Sequence, residues 1–191
     1  MQIILLAGYA GSGKDTVGAL FVKRGFTQFA FGHEVKVHSS QLHGFPFELT
    51  QTQEGKEFLV KSQHNHRIAS VRTFLIEDSA YMKKLKNNPA YWATKVADAI
   101  LKVKSENVVI TDWRFKAEYE NLKQTFPHAN IMRIRVYRPS VTPLESFSEH
   151  ELDEEPMTFT IHNTGTIEEL DNQVKEILHL NQNDYGRLVP M

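Results

Sequence analysis

The stretch "GYAGSGKDTV", residues 8–17, constrains the fold of this chain more than any other. An apolar run precedes it, as in a buried parallel strand, and apolar residues at helical spacing follow it. Gly8, Gly13 and Lys14 have the spacing glycine, four residues, glycine, lysine. A strand, a glycine-rich loop and a helix in this order predict a polyphosphate site, because successive backbone N–H groups converge at the helix N-terminus.

The residues of this loop have distinct predicted roles toward ATP and Mg²⁺. Lys14 is expected to reach the phosphates between which charge shifts. The residue after such a lysine normally offers a hydroxyl to magnesium, but here it is Asp15, whose carboxylate could hold the ion directly or through water. Thr16 is then left to bond the nearer phosphate oxygens. The predicted ATP-binding residues of the loop are Gly8, Ala10, Gly11, Ser12, Gly13, Lys14, Asp15 and Thr16.

Strands and helices are expected to alternate along the rest of the chain. Further strands are predicted at 26–31, 107–112 and 130–139, and a last one at the stretch "TFTIHNTGT". This alternation predicts an α/β fold with a mainly parallel sheet and helices on both faces.

Two helices are predicted in the middle of the chain, after a region without regular periodicity. A helix is expected from Ala69 to Leu85 with an interruption near Asp78, and another with Asn88 as its cap and Pro89 at its first position. Residues 33–66 are polar and weakly periodic, and only broken helix and loop are predicted there.

Asp112 and Arg114, in "VVITDWRF", are the second group of candidate catalytic residues. Asp112 ends a predicted strand, where an acid that organises magnesium is expected, and Arg114 would point into the same crevice. Alternatively, Asp112 caps the next helix and Arg114 is a surface residue. The chain has no asparagine-lysine-x-aspartate sequence, which argues against a GTP switch. A single acid followed by arginine is also atypical of motor and assembly ATPases.

Composition narrows the class of protein further. The 191 residues are 41% hydrophobic and 24% charged and include no cysteine, which predicts one domain over 1–191 without disulfides or thiolate metal sites. No apolar stretch is long enough to span a membrane, and a cytoplasmic location is expected. The net charge of −1 provides no general attraction for nucleic acid. One interpretation of the acidic stretch 148–156 is a solvated loop, and this interpretation stays open.

Six segments of the chain stand out together, namely "GKDT", "VRTFLIED", "YWATKVADAI", "ITDWRFKAEYE", "SEHELD" and "IHNTGTIEEL". In their order and approximate spacing they resemble bacteriophage-type deoxynucleoside monophosphate kinases. The resemblance extends from residue 2 to about residue 178, and residues 37–68 are the least similar part. The resemblance implies a three-layer P-loop kinase fold with a central five-stranded sheet and a lid insertion. It also implies transfer of the ATP γ-phosphoryl group to a deoxynucleoside monophosphate, with Mg²⁺, in the host cytoplasm if the protein is viral.

The resemblance also assigns acceptor-binding and ATP-binding residues outside the loop. It implies an acceptor-binding region at about 33–88 and a lid at about 138–156. Arg72, counted among the catalytic residues, would hold the acceptor phosphate. One of Tyr91 and Trp92 would wall the base pocket, and the other would pack in the core. The predicted acceptor-binding residues are Lys36, Arg72, Trp92 and Arg114, and the further ATP-binding residues are Arg138, Asn163 and Gly165.

Two departures from the family pattern bear on these assignments. Glu77 and Asp78 stand where the family often has glycine and threonine, so the acceptor pocket is expected to be reshaped. The acidic segment has no histidine before its serine, and no chemistry is therefore assigned to Ser148 or Glu149.

Three functional alternatives stay open at this stage. They are a nucleotide kinase, a kinase of another phosphorylated small molecule such as phosphomevalonate, and a nucleotide-binding module that regulates a partner. Phosphorylation of a base within DNA receives no support from the near-neutral charge. Whether the protein forms a homodimer is left undecided.

Overall fold

A computed structural model describes residues 1–143, 145 and 147–185 of the chain, and the side chains of all these residues except 147 and 181–185. Residues 144 and 146 of the predicted lid, and 186–191 of the predicted domain, lie outside the described residues. The strands are β1 (Gln2–Ala7), β2 (Thr27–Phe29), β3 (Leu59–Lys61), β4 (Ile68–Ser70), β5 (Asn107–Ile110), β6 (Asn130–Tyr137) and β7 (Phe159–His162). The helices are α1 (Lys14–Val22), α2 (Phe31–His43), α3 (Gln53–Glu57), α4 (Val71–Leu85), α5 (Tyr91–Val103), α6 (Lys116–Thr125), α7 (Phe147–His150) and α8 (Ile167–Tyr185).

Five of the strands form one parallel sheet in the order β2-β5-β1-β6-β7. The central strand β1 pairs with β5 on one side and β6 on the other, so that Ile3 lies beside Val108 and Ile131. Parallel neighbours have their carboxyl ends at the same edge, which therefore collects the loops that follow all five strands.

Helices cover both faces of this sheet, because successive side chains of β1 point to opposite sides. Ile3 and Leu5 belong to a core that also contains residues of α2, α5 and α6. Ile4 and Leu6 belong to a second core with residues of α1 and α8. The predicted three-layer architecture with a five-stranded sheet is confirmed, and the sheet is wholly parallel.

Residues 33–66 differ most from the sequence-based expectation. Instead of only broken helix and loop, this region contains most of the regular helix α2 and the first strand of an antiparallel β3–β4 hairpin. The helix expected from Ala69 to Leu85 is present as α4. A small core is formed by Phe45, in the loop after α2, and by Val71 and Phe74 of α4. Val60 and Ala69 of the hairpin pack against this core. The expected interruption near Asp78 is wrong: α4 is continuous, and the Asp78 carboxylate accepts hydrogen bonds from Ser39 and His43 of α2.

Other element boundaries shift by a few residues. β2 is shorter than the expected 26–31, because α2 already begins at Phe31. The helix expected to be capped by Asn88 begins at Tyr91, and the Asn88 side chain accepts the Ala90 N–H. Among the described residues, no helix has both the length and the apolar character that crossing a membrane would require.

Candidate active site

The predicted site residues lie mostly on the loops that follow the parallel strands. The phosphate loop, residues 8–13, connects β1 to α1. Asp112 and Arg114 follow β5, Arg138 follows β6, and Asn163 follows β7. The fold therefore gathers these segments at the carboxyl edge of one sheet, where α/β proteins bind their ligands.

The backbone of the phosphate loop has conformations that favour glycine. Gly8 and Gly13 have φ angles of 141° and 99°. A Cβ atom at Gly8 would clash with the Val136 carbonyl oxygen, and one at Gly13 would clash with the Asn163 side chain. Asn163 in turn donates a hydrogen bond to the Ser12 carbonyl oxygen over 2.8 Å, so the loop after β7 lies directly against the phosphate loop.

Lys14 is folded onto its own loop. Its Nζ donates to the carbonyl oxygens of Gly8 and Tyr9 over 2.7 and 2.9 Å. Burial lowers the pKa of Lys14, and the positive charge of Arg114 lowers it further, against the opposing effect of three carboxylates. Those carboxylates belong to Glu149, Asp15 and Asp112. Lys14 therefore lies within electrostatic reach of both predicted magnesium ligands, Asp15 and Asp112, and of Arg114.

Asp112 is held at the N-terminus of α2. Its two carboxylate oxygens accept the backbone N–H groups of Phe31 and Gly32 over 2.7 and 2.8 Å. Burial raises the pKa of Asp112, while these hydrogen bonds and the charges of Arg114 and Lys36 act in the opposite direction. The helix that Asp112 caps is thus α2, not the helix that follows it in sequence.

Asp15 and Asp112 are the candidate magnesium ligands. Asp15 is exposed in the first turn of α1, and its charge and that of Asp112 both act on Lys14. Carboxylate oxygens near a phosphate-binding lysine are a donor set that suits Mg²⁺. In the described part of the chain, no group of three or more histidine, aspartate or glutamate residues is placed to bind a metal.

The backbone that carries Arg114 is fixed by a buried carboxyl group. Oε2 of Glu118 accepts the N–H groups of Arg114 and Phe115 over 3.0 and 3.1 Å. Trp113 closes the same turn by donating from Nε1 to the Phe115 carbonyl oxygen over 2.9 Å. Burial raises the pKa of Glu118 to about 8, with the charge of Lys83 acting in the opposite direction. Sequence reasoning did not identify Glu118.

Glu149 is a second residue that sequence reasoning missed. Its side chain is 2% exposed, pairs with the guanidinium of Arg114, and accepts the backbone N–H of Ala10 over 2.9 Å. Burial opposes ionisation of this carboxyl group. The hydrogen bonds from Arg114 and Ala10 and the charge of Lys14 outweigh burial, and the pKa of Glu149 is lowered. A protein carboxylate thus already uses the phosphate loop as an anion site.

The solvated-loop interpretation of 148–156 is wrong for the buried Glu149, and three further acids at alternate positions contact the rest of the protein. Besides Glu149, Glu151 accepts the backbone N–H of Lys116 over 2.9 Å. Asp153 accepts a hydrogen bond from the Tyr9 hydroxyl over 2.9 Å. Glu155 pairs with Arg133 of β6 over 2.8 Å. These contacts place the segment of the predicted lid against the phosphate loop and the sheet.

The predicted acceptor-binding residues differ in their exposure to solvent. Arg72 is 39% exposed and reaches α3, where its Nε donates to Glu57 over 2.6 Å and its Nη2 to Gln53 over 2.8 Å. Lys36 lies one turn after Gly32, on the side of α2 near Asp112. Trp92 is 4% exposed and packs in the core, with its ring tilted against that of His38, so its predicted contact with a base remains a prediction.

Two of the predicted ATP-binding residues lie at exposed positions. Arg138 follows β6, and its carbonyl oxygen accepts the N–H of Val141. Gly165 lies in the loop between Asn163 and α8, beside the carboxylate of Glu169. Their contacts with ATP remain predictions.

Comparison with known proteins agrees with this architecture. Protein-family models and curated protein sequences give no match. Among solved structures, the shikimate kinase of Aquifex aeolicus has a TM-score of 0.50 at 20% identity, over 97% of this chain and 99% of that one. The Thermus thermophilus protein TT1252 has a TM-score of 0.51 at 16% identity, over 99% and 98%. The Mycobacterium tuberculosis APS kinase in complex with AMPPNP and APS has a TM-score of 0.48 at 10% identity, over 95% and 97%.

The sheet and the loop after β1 together define the fold. The chain has the P-loop kinase fold, with a wholly parallel five-stranded sheet and helices on both faces. At these sequence identities, the likeness establishes the fold and not the substrate.

Proposed function

We propose that this protein is an ATP-dependent deoxynucleoside monophosphate kinase, which converts ATP and a dNMP into ADP and a dNDP. One observation carries the proposal. Lys36 and Arg72, from the expected acceptor region, and Arg114, from the sheet edge, all act electrostatically on one lysine of α3, together with Asp15 of the donor loop. These charges are therefore within electrostatic reach of one residue, Lys56, together with a residue of the predicted donor loop, which supports a second phosphate site beside that loop.

On the donor side, the phosphate loop would supply backbone N–H groups, and Lys14 would supply a positive charge. Lys14 would exchange its carbonyl contacts with Gly8 and Tyr9 for phosphate oxygens, which are stronger acceptors. Asp15 and Asp112 would hold Mg²⁺, which supplies charge neutralisation at the ATP phosphates when bound.

The reaction needs alignment more than it needs a base. An oxygen of the acceptor phosphate attacks the γ-phosphorus, and the bond between that phosphorus and the oxygen bridging to the β-phosphate breaks. The acceptor phosphate is already anionic near neutral pH, so no proton has to be removed from it. Lys14 and Arg114 stabilise the charge that spreads over the transferred group, and Lys36 and Arg72 hold the acceptor.

The nucleotide nature of the acceptor is proposed from the resemblance of "VRTFLIED", "YWATKVADAI" and "ITDWRFKAEYE" to deoxynucleoside monophosphate kinases. The same resemblance supports an acceptor-binding region at 33–88 and a lid at 138–156 within one kinase domain. Trp92 lies beside His38 of α2 and would form the inner wall of the base pocket.

An acceptor panel tests this proposal. ADP release from ATP would be followed with the four common dNMPs, 5-hydroxymethyl-dUMP and phosphomevalonate, for the wild type and for Lys14→Ala. We expect ADP release to depend on a dNMP and on Lys14. Release with phosphomevalonate alone would indicate a different small-molecule kinase, and no acceptor-dependent release would indicate a regulatory nucleotide-binding module.

A further inference from the structure

Lys56, in the short helix α3, has an unusual environment for a lysine. Its side chain is half-buried. Within the described ranges, its ammonium group has no hydrogen bond or ion pair, unlike Arg72 and Arg114, whose charges are matched by Glu57 and Glu149. A half-buried ammonium group without a partner is unfavourable, because it has lost water contacts and gained no hydrogen bond in return.

The charges around Lys56 make this arrangement more unfavourable still. Burial lowers the pKa of Lys56, and the positive charges of Lys36, Arg72 and Arg114 lower it further, against the opposing charge of Asp15. Lys36 likewise has no ion-pair partner among the described residues. In the part of the chain that the structure describes, Lys56 and Lys36 thus have no ion-pair partners of their own, and they lie near two arginines whose carboxylate partners are already engaged. Unpaired cations grouped in this way are typical of a site for a multivalent anion.

The position of Lys56 follows from the residues on either side of it. Gln53 and Glu57 of the same helix both bind the Arg72 guanidinium, over 2.8 and 2.6 Å, and thereby tie α3 to α4. The backbone N–H of Lys56 donates to the Thr52 carbonyl oxygen, so the residue belongs to the ordered turn between them. Lys56 is therefore carried by the element that also orients Arg72.

We propose that Lys56 is a phosphate-binding residue of the acceptor site, where it and Lys36 donate to the oxygens of a phosphate monoester dianion. This inference rests on the proposed function and adds a residue to it. Lys56 binds the phosphate and takes no part in bond breaking. The incoming dianion supplies the hydrogen-bond acceptors and the negative charge that Lys56 and Lys36 lack, and the acceptor is thereby limited to molecules that carry a phosphate monoester.

The kinetic test compares Lys56→Met with Lys61→Met, which removes an exposed lysine from the adjoining strand β3. With the acceptor that supports turnover in the wild type, Lys56→Met should raise the KM of the acceptor about ten-fold or more, the effect of losing one charged hydrogen bond. The KM of ATP should stay within about two-fold, and Lys61→Met should match the wild type. An unchanged acceptor KM in Lys56→Met would overturn the inference.

A binding test separates this inference from the choice of acceptor. With the donor site filled by AMPPNP and Mg²⁺, inorganic phosphate should raise the unfolding temperature of the wild type and of Lys61→Met but not of Lys56→Met. That result would support the anion site even if no dNMP were phosphorylated. An equal phosphate-dependent shift in Lys56→Met would contradict it.

The unfolding temperature without phosphate provides one more discriminating readout. Because Lys56 faces like charges, Lys56→Met should be as stable as the wild type or more stable in the absence of anions. A clear loss of stability would show that Lys56 has a structural role, and the inference would then be wrong.

Discussion

The carboxylate of Glu149 accepts a hydrogen bond from the backbone N–H of Ala10, over 2.9 Å, across 139 positions of sequence. The same carboxylate pairs with Arg114. Two of the groups proposed to meet the transferred phosphoryl group, a loop N–H and an arginine, are therefore bound to a protein anion. An incoming polyphosphate has to displace this carboxylate in order to use both groups.

Glu149→Gln should therefore strengthen ATP binding. The amide keeps the size of the side chain but removes the charge that competes for Ala10 and Arg114, so we expect the dissociation constant of AMPPNP to fall about ten-fold, as for one charged hydrogen bond. Glu154→Gln is the matched control, because it removes an exposed acid from the same segment. Calorimetric titration measures both variants, and unchanged or weaker binding by Glu149→Gln would refute the competition.

Lys14→Ala should lower kcat/KM by roughly two to four orders of magnitude, because it removes a cation that stabilises charge in the transition state. The loss of its two hydrogen bonds to carbonyl oxygens should change stability only modestly. Steady-state kinetics and thermal unfolding would be compared with those of Lys23→Ala, at the exposed end of α1. Near-native turnover in Lys14→Ala would show that the assigned role is wrong.

Arg72→Ala should act on the acceptor rather than on ATP. The guanidinium is partly exposed, so we expect a rise of about ten-fold in the KM of the acceptor and little change in the KM of ATP. Arg67→Ala is a suitable control. Arg67, which directly precedes β4, also forms an exposed ion pair, and its partner is Glu77 of α4. If Arg72→Ala and Arg67→Ala responded alike to acceptor concentration, Arg72 would have no role in acceptor binding.

Glu118 should make stability depend on pH. Its pKa in the folded state is raised to about 8, above its ordinary value of 4.5. The folded state therefore binds the proton more tightly, and this contribution is present in full below about pH 4.5 and is lost as the pH rises through about 8, a change on the order of a few kcal/mol.

Glu118→Gln should flatten this pH dependence, because an amide can accept the N–H groups of Arg114 and Phe115 without ionising. Urea unfolding at pH 5 and pH 8.5 would measure the effect, with Glu120→Gln, an exposed acid on the same helix, as control. If Glu118→Gln lost as much stability between the two pH values as the wild type, burial would not control this carboxyl group.

The parts of the fold that could be predicted depend on patterns among residues that are close together in the sequence. β1, the glycine loop and α1 were predictable because strand burial, glycine spacing and helical periodicity all lie within residues 2–22. Asp112 and Arg114 were placed near the loop because they end a neighbouring parallel strand, and the structure brings Arg114 close enough to lower the pKa of Lys14.

The parts that were missed depend on contacts between distant residues. α2 has buried polar residues, Ser39 and His43, whose hydrogen bonds to Asp78 replace the apolar face that would have indicated a helix. Glu149 is the clearest case, since an acid in an acidic run gives no local sign that its partner is the N–H of Ala10. The placing of acids at the alternate positions 149, 151, 153 and 155 was the only sequence signal available.

The central claim is transfer of the γ-phosphoryl group of ATP to the phosphate of a deoxynucleoside monophosphate. The most direct test incubates the wild type and Lys14→Ala with ATP labelled at the γ-phosphorus and each common dNMP, and separates the products by chromatography. We predict that the label appears in a dNDP, in an amount equal to the ADP formed, and only with the wild type. Label found in inorganic phosphate alone, or no release of label with any dNMP, would contradict the account.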